Sequence, residues 1–254
     1  MISKNTIKQL NQLSQKKFRR REKLFLVEGD KMILELAGAK FEIAELFITS
    51  GIESAVHEHK IKADKIHLVT PEELKKISLL KTPQNTLAVC RIPEISVLPN
   101  YLDDTLSIFL DSVQDPGNMG TILRICDWFD IRNLFCSPET ADAYNPKVIQ
   151  ASMGSFSRVN VFVCTFNQIK LLADKSNAVI YGAFMNGENV YKQQLANKAV
   201  LVMGNEGNGI SSSIEKQLEH KLKIPNFSSI QQKAESLNVS VATAIFCSEF
   251  KRNS

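Results

Sequence analysis

The sequence predicts an α/β protein in two parts, a small α/β domain followed by a larger one built on a mostly parallel sheet, and three observations carry that prediction. Short apolar runs with the continuous character of buried strands alternate with stretches of helical period along the chain. A segment with two prolines and no helical period, Ile92-Pro-Glu-Ile-Ser-Val-Leu-Pro-Asn100, interrupts the series as an extended connector. Three segments rich in glycine or small polar residues, Asp115-Pro-Gly-Asn-Met-Gly-Thr-Ile-Leu-Arg124, Gly204-Asn-Glu-Gly-Asn-Gly209 and Ser236-Leu-Asn-Val-Ser-Val-Ala242, follow apolar runs. Ligands of a parallel sheet gather beyond the carboxyl ends of its strands, so these loops are the candidate site.

The first domain is expected over residues 1–95, a linker over 96–103 and the second domain over 104–254. In the first, Leu24 to Val27 reads as a strand, Gly29 to Ala39 as a helix, Ile43 to Thr49 as a strand, followed by a polar helix and a strand at Ile66 to Val69. Thr70 before Pro71-Glu-Glu is an N-cap with proline at the first helical position, and Thr86 to Arg91 closes the unit as a strand. In the second, strands are expected at Leu106 to Leu110, Asn133 to Cys136, Val159 to Val163, Ala178 to Ala183, Ala199 to Met203 and Lys221 to Ile224. Helices begin near Asn118, Pro146, Asn167 and Ser211, and a last one runs from about Leu237 to Arg252.

With 254 residues, 44% of them hydrophobic and 23% charged, the chain can bury a sizeable core. No apolar stretch approaches the ~20 residues of a membrane span, and the first residues lack the apolar core of a signal peptide, so a soluble, cytoplasmic protein is expected. Cys90, Cys126, Cys136, Cys164 and Cys247 are odd in number, scattered and set in apolar surroundings, the pattern of reduced core cysteines. The net charge of +4 is unevenly held: residues 1–23 carry eight basic side chains against Glu22 alone, a local +7, which leaves −3 for the rest. Lys16, Lys17, Arg19, Arg20, Arg21 and Lys23 form a compact cationic cluster able to neutralise several phosphates, with Phe18 placed to stack or to pack inward. A solvated helix face or a frayed terminus would have the same composition.

Several chemistries are disfavoured. There is no phosphate-binding P-loop, and no Gly-x-Gly-x-x-Gly follows the first strand of either domain. Of the four histidines only His220 lies in the second domain, outside the three segments, and His57 and His59 two apart on a helix diverge rather than converge on a metal. What remains is a site of Asn, Arg, Glu, Ser and backbone amides.

Those segments resemble the motifs of the SpoU (TrmH-type) RNA 2'-O-ribose methyltransferases of the SPOUT superfamily. Asn118, Gly120 and Arg124 match Asn-x-Gly-x-x-x-Arg; Gly204 to Gly207 match Gly-x-Glu-Gly; Ile224-Pro225 and Ser236 to Ala242 match the remainder, and Asn145 to Ser155 resembles a further family segment. Phe25 to Gly29 and Leu80 to Val89 resemble the RNA substrate-binding module of ribosomal-protein-L30e type that often precedes the catalytic domain. The resemblance implies a deep trefoil knot, a homodimer, RNA as partner and S-adenosylmethionine as cofactor; no metal is expected, on the histidine positions above. It implies that Met203, Gly204, Asn205, Gly207, Ile224 and Leu237 hold the cofactor and that Asn118, Arg124, Glu206, Ser236 and Asn238 surround the methyl and the ribose. The glycines would let backbone approach closely, and Met203, Ile224 and Leu237 could wall the face of an adenine.

Each residue also has a plainer reading: Asn118 and Ser236 as helix caps, Glu206 as a partner of a helix N-terminus, Arg124 as a surface side chain. The apolar neighbours Ile122, Leu123 and Ile125 argue that Arg124 belongs to a site. A guanidinium stays protonated far above neutral pH and making it neutral at pH 7 would cost about 9 kcal/mol, so Arg124 is expected to align and stabilise a developing alkoxide, oriented by Asn118 and Glu206. Two features depart from the family pattern. The stretch from Ile224-Pro225 to Ser236 is about four residues longer than usual and lacks glycine. Asn208 stands where a basic residue is frequent. The competing expectation is a non-catalytic RNA-binding or ribosome-assembly factor on the same scaffold; the basic N-terminus and separate first domain favour ribosomal over transfer RNA.

Overall fold

The structure, a computed structural model, describes residues 2–94, 97–103, 105–229 and 235–252. The chain divides into two compact units, Met1–Ile95 with Asp142–Arg158, and Ser96–Ala141 with Val159–Ser254. Residues 142–158 thus depart from the expected unbroken block 104–254. The reason is aromatic packing: the Phe25 ring lies 4.8 Å from that of Tyr144 and 6.1 Å from that of Phe156, and Phe41 stacks on Phe156 at 5.4 Å. Part of the expected linker, Ser96, lies outside the described residues. Leu102 within it is buried and its N–H donates to Ser176 Oγ at 2.9 Å.

The first unit holds α1 (Lys4–Gln12), α2 (Lys16–Glu22), β1 (Leu24–Glu28), α3 (Asp30–Leu34), β2 (Ile43–Ile48), α4 (Glu53–Glu58), β3 (Ala63–Leu68), α5 (Pro71–Ile77) and β4 (Thr86–Arg91), joined later by α7 (Pro146–Ser152). Its sheet runs β1-β4-β2-β3, with only β2 and β3 parallel. Helix α1 is absent from the expectations because its sequence is almost wholly polar. Ser3 caps it, and Leu10 with Leu13 beyond its end enters the core beside Leu26, Phe47, Leu74 and Leu87. The helix expected from Gly29 to Ala39 is shorter, since Gly29 at φ 105° stands outside it and the chain after Leu34 breaks into turns. Thr70 caps α5 in a reciprocal capping box with Glu73, with Pro71 at the first helical position.

The second unit holds β5 (Leu106–Leu110), α6 (Pro116–Trp128), β6 (Asn133–Cys136), β7 (Asn160–Val163), α8 (Phe166–Ser176), β8 (Val179–Asn189), β9 (Ala199–Met203), α9 (Ser212–Glu215), β10 (His220–Lys223) and α10 (Val239–Lys251). Six strands order as β10-β8-β9-β5-β6-β7, every neighbouring pair parallel. β8 extends past the expected Ala183 because its far end pairs with β10 across a register shift. There Gly187 lies so near Lys221 that a Cβ would stand 2.5 Å from its carbonyl oxygen. All five cysteines are free and buried; burial pushes the Cys164 thiol up to about 11 and Cys247 to about 12, so neither supplies a thiolate at neutral pH. Leu110 pairs with Met203 at the carboxyl ends of β5 and β9, and the Asp111 N–H donates to the Met203 carbonyl at 2.8 Å. The loops after these two strands therefore start side by side.

Candidate active site

At the start of α6 the turn chemistry settles which residue caps. Asp115 is the N-cap, its carboxylate accepting from the Asn118 N–H at 2.7 Å, with Pro116 in the first turn. Asn118 is therefore not the cap it could have been, and its amide is available for other contacts. Its Nδ2 donates to Glu206 Oε1 at 3.0 Å, and its Oδ1 accepts from Asn238 Nδ2 at 2.9 Å. The Glu206 carboxylate also accepts from the Gln114 and Asp115 N–H groups at 3.4 and 3.3 Å. Asn238, Asn118 and Glu206 thus form one continuous chain of hydrogen bonds joining three segments that are 88 and 120 residues apart in sequence.

Asn238 has a second duty. It, and not Ser236, caps α10: its Oδ1 accepts from the Ser240 N–H at 2.9 Å and the Ser240 hydroxyl at 2.6 Å. The last helix accordingly starts at Val239, later than expected, and Ser236 is an exposed residue in the cleft wall. Asn205 is a loop clip. Its Nδ2 donates to the Ser112 carbonyl at 2.7 Å and its Oδ1 accepts from the Gly207 and Asn208 N–H groups at 2.9 and 3.1 Å. One residue the sequence reading passed over is Asp111, a buried carboxylate directly ending β5, which accepts from the Ser211 N–H at 2.7 Å and so fixes the far end of the 204–210 loop. A charge immediately after an apolar strand was the available signal.

The three glycines of that loop differ in what they do. At Gly204 a Cβ would lie 2.2 Å from Gly209 C and Ile210 N, so no side chain fits. Gly209 has open space around it and is required instead by its φ of 68°, which lets the loop close through the paired Asn205 and Gly209 backbone bonds at 2.9 Å. Gly207 shows neither constraint.

Around this framework lies a cleft of about 460 Å³. Met203, Ile224, Leu237 and Phe246 contribute apolar surface, and the 204–209 backbone contributes polar groups. Met203 and Phe246 are buried, whereas Leu237 is 48% exposed at the mouth of the cleft. A flat heteroaromatic ring with polar edges suits this lining: its faces meet hydrocarbon and its edges meet peptide groups. The departure expected between Ile224 and Ser236 falls partly on residues 230–234, which lie outside the described residues.

Two expectations fail. Arg124 is exposed on α6, does not line the cleft, and hydrogen-bonds neither Asn118 nor Glu206; among the described residues nothing pairs with its guanidinium. Its apolar sequence neighbours Ile122 and Leu123 turn into the core on other sides of the helix, leaving Thr121, Arg124 and Trp128 as an exposed stripe. Arg19 is not a phosphate contact. It is 1% exposed, and donates from Nε to Asp142 Oδ2 at 3.0 Å and from Nη1 to the Leu13 and Ser14 carbonyls at 2.8 and 2.9 Å. Lys16, Lys17, Arg20, Arg21 and Lys23 remain exposed, with Lys17 and Arg21 each 4.8 Å from the Phe18 ring centre. No group of three or more His, Cys, Asp or Glu side chains among the described residues is placed to hold a metal.

Residues 105–248 match the SpoU rRNA Methylase family, and residues 4–88 match the MRM3-like substrate binding domain. The 23S rRNA (guanosine(2553)-2'-O)-methyltransferase RlmP of Bacillus subtilis is 28% identical over 246 residues, covering 94% of this chain and 93% of its own. The 23S rRNA (guanosine-2'-O-)-methyltransferase RlmB of Coxiella burnetii is 27% identical, covering 85% and 90%. Among solved structures, a putative RNA methyltransferase of the TrmH family from Porphyromonas gingivalis is 38% identical and covers 100% of both chains with a TM-score of 0.87. The SpoU methyltransferase AviRb from Streptomyces viridochromogenes shares the fold, with a TM-score of 0.86 at 20% identity over 99% and 98% of the two chains.

Proposed function

Because the chain belongs to the SpoU rRNA Methylase family, we propose that it transfers a methyl group from S-adenosylmethionine to a ribose 2'-hydroxyl, with ribosomal RNA as the substrate class. The observation that carries this reading is the Asn238–Asn118–Glu206 chain, which ties the three motif segments together beside the apolar cleft. When bound, S-adenosylmethionine supplies an electrophilic methyl that needs positioning more than activation, an effect worth up to ~7 to 11 kcal/mol.

In this chain the cleft wall of Met203, Ile224 and Leu237 would hold the adenine face, and the 204–209 backbone its edge. The hydrogen-bonded amides and Glu206 fix the loop geometry around the reacting centre, with Ser236 at the rim. Arg124 would stabilise the developing alkoxide. Its exposure outside its own cleft supports a homodimer in which the Thr121, Arg124 and Trp128 stripe meets a second copy and Arg124 completes that copy's site. A knotted backbone belongs to the same family-based reading. Lys16, Lys17, Arg20 and Arg21 on α2, with Lys23 just beyond its end, would take RNA phosphates.

The test is tritiated-methyl transfer from S-adenosylmethionine into total RNA of a strain lacking the gene. Label is expected in ribosomal RNA at one alkali-resistant linkage, the mark of a blocked 2'-oxygen. No uptake of the cofactor by calorimetry, together with no transfer to any RNA, would instead favour a binding factor. Gly204 offers a second check. Gly204→Ala forces the backbone of Gly209 and Ile210 aside and is expected to cost at least about 1 to 3 kcal/mol, visible as a lower melting temperature. Calorimetric binding of S-adenosylmethionine should vanish with it; unchanged binding would place the adenine elsewhere.

A further inference from the structure

The first unit contains a second concavity, about 540 Å³ in volume, well away in sequence from the three motif segments. Leu26, Leu79, Pro146 and Ile149 give it apolar surface, while Ser14, Glu28, Asn145 and Gln150 place polar groups in it. Glu28 is the unusual member. It ends β1 only 6% exposed, and accepts from the Ser78 hydroxyl and from the Leu79 N–H at 3.0 Å. The Leu80 N–H also acts on the carboxylate. An ionised carboxylate has about four acceptor positions, so these three donors still leave one unused. Burial raises its pKa, and among the described residues no cation acts on it. The Asn145 Oδ1 accepts from the Lys147 N–H at 2.9 Å, which leaves its Nδ2 as a donor; Gln150 makes no side-chain hydrogen bond among the described residues.

The concavity is also braced. The buried Arg19 guanidinium binds the Ser14 carbonyl on one side and Asp142, three residues before Asn145, on the other, so one side chain holds two walls in register. Ser14 lies two residues before α2, whose outward face carries Lys16, Lys17, Arg20 and Arg21. A volume between ~300 and 1,000 Å³ with apolar faces, a few directed polar groups and a flanking row of cations is the chemistry that takes an unpaired nucleotide: face against hydrocarbon, edge to amide and carboxylate, phosphates to lysine and arginine.

We propose that this concavity binds one unpaired nucleobase carrying an exocyclic amino group, which donates to Glu28 and is flanked by Gln150 and Asn145, while the adjoining RNA backbone follows α2. The base held here is separate from the nucleotide that is methylated, and it anchors the RNA on the first unit. The inference rests on RNA being the substrate, as proposed above.

Its test uses the full chain and fluorescent oligouridines of about ten nucleotides, either unmodified in sequence or with one central guanosine, adenosine or cytidine. By anisotropy, at least one amino-bearing oligonucleotide is expected to bind about fivefold or more tighter than oligouridine, the scale of a base-edge contact. Gln150→Ala and Glu28→Gln should each shrink that preference, and Ala151→Phe, which fills the space, should remove it while leaving S-adenosylmethionine affinity unchanged. Equal binding of all four oligonucleotides by the parent overturns the proposal, as does a preference that survives in Gln150→Ala and Ala151→Phe proteins with parental melting curves. Methyl transfer is measured on the same preparations. A parent that methylates RNA but shows no base preference defeats this pocket alone, whereas one that neither methylates nor binds RNA defeats the functional reading too.

Discussion

Arg124→Ala is expected to lower methyl transfer at least about a hundred- to a thousandfold, with S-adenosylmethionine affinity held within a few-fold and the melting temperature unmoved. The side chain is exposed and bound to nothing among the described residues, so its removal leaves no buried group stranded. A group with no structural partner in its own subunit can lose its positive charge at little cost to the fold. What it would contribute appears when the attacking oxygen becomes anionic, an interaction stronger in the transition state than in the ground state. Parallel loss of cofactor binding and melting temperature would make Arg124 structural, and full activity would remove it from the mechanism. The subunit question is separable. A hybrid dimer of Arg124→Ala with Leu237→Asp, the second change placing a charge on the cofactor wall, retains one complete site if Arg124 serves its partner. It retains none if Arg124 serves its own cleft.

The regular strands were legible because a buried parallel sheet imposes a simple rule on sequence. Leu106–Leu110, Asn133–Cys136, Ala199–Met203 and Thr86–Arg91 are short apolar runs and lie where the pattern predicts. The rule fails where polar residues do the same structural work. Helix α1 has Ile7 and Leu10 set among lysines, glutamines and asparagines. The far half of β8 is held by pairing to β10 and not by its own hydrophobicity. Nor can a local pattern say which core a segment joins: Tyr144 and Phe156 pack on Phe25 and Phe41, more than a hundred residues earlier.

The site divides in the same way. That Asn118, Glu206 and Asn238 belong together was implied by the resemblance of their segments to the family motifs. Their wiring was not, because a hydrogen-bond network is fixed by which loop ends lie abreast, and that follows from the Leu110–Met203 register. Cap assignments at Asp115 and Asn238 depended on a one- or two-residue difference in where each helix begins.

Arg19 exposes the same weakness in the cationic cluster, and its replacement should have the largest effect on stability. Three consecutive arginines read alike, yet α2 turns the first of them fully inward while Arg20 and Arg21 face solvent. Arg19→Met keeps much of the volume but leaves the mostly buried Asp142 carboxylate and the Leu13 and Ser14 carbonyls without their donor. Breaking such a pair from one side costs about 3 to 5 kcal/mol, so a clear fall in melting temperature is expected, led by the first unit. Arg20→Ala and Arg21→Ala should behave oppositely, with parental melting curves and weaker RNA binding. Each should also reduce the dependence of log affinity on log salt by about 0.7 to 0.9. An Arg19→Met protein that melts like the parent yet binds RNA weakly would return Arg19 to the phosphate-binding face. A destabilised Arg19→Met protein would mean that the first arginine of the run holds α2 in place so that its neighbours can meet RNA.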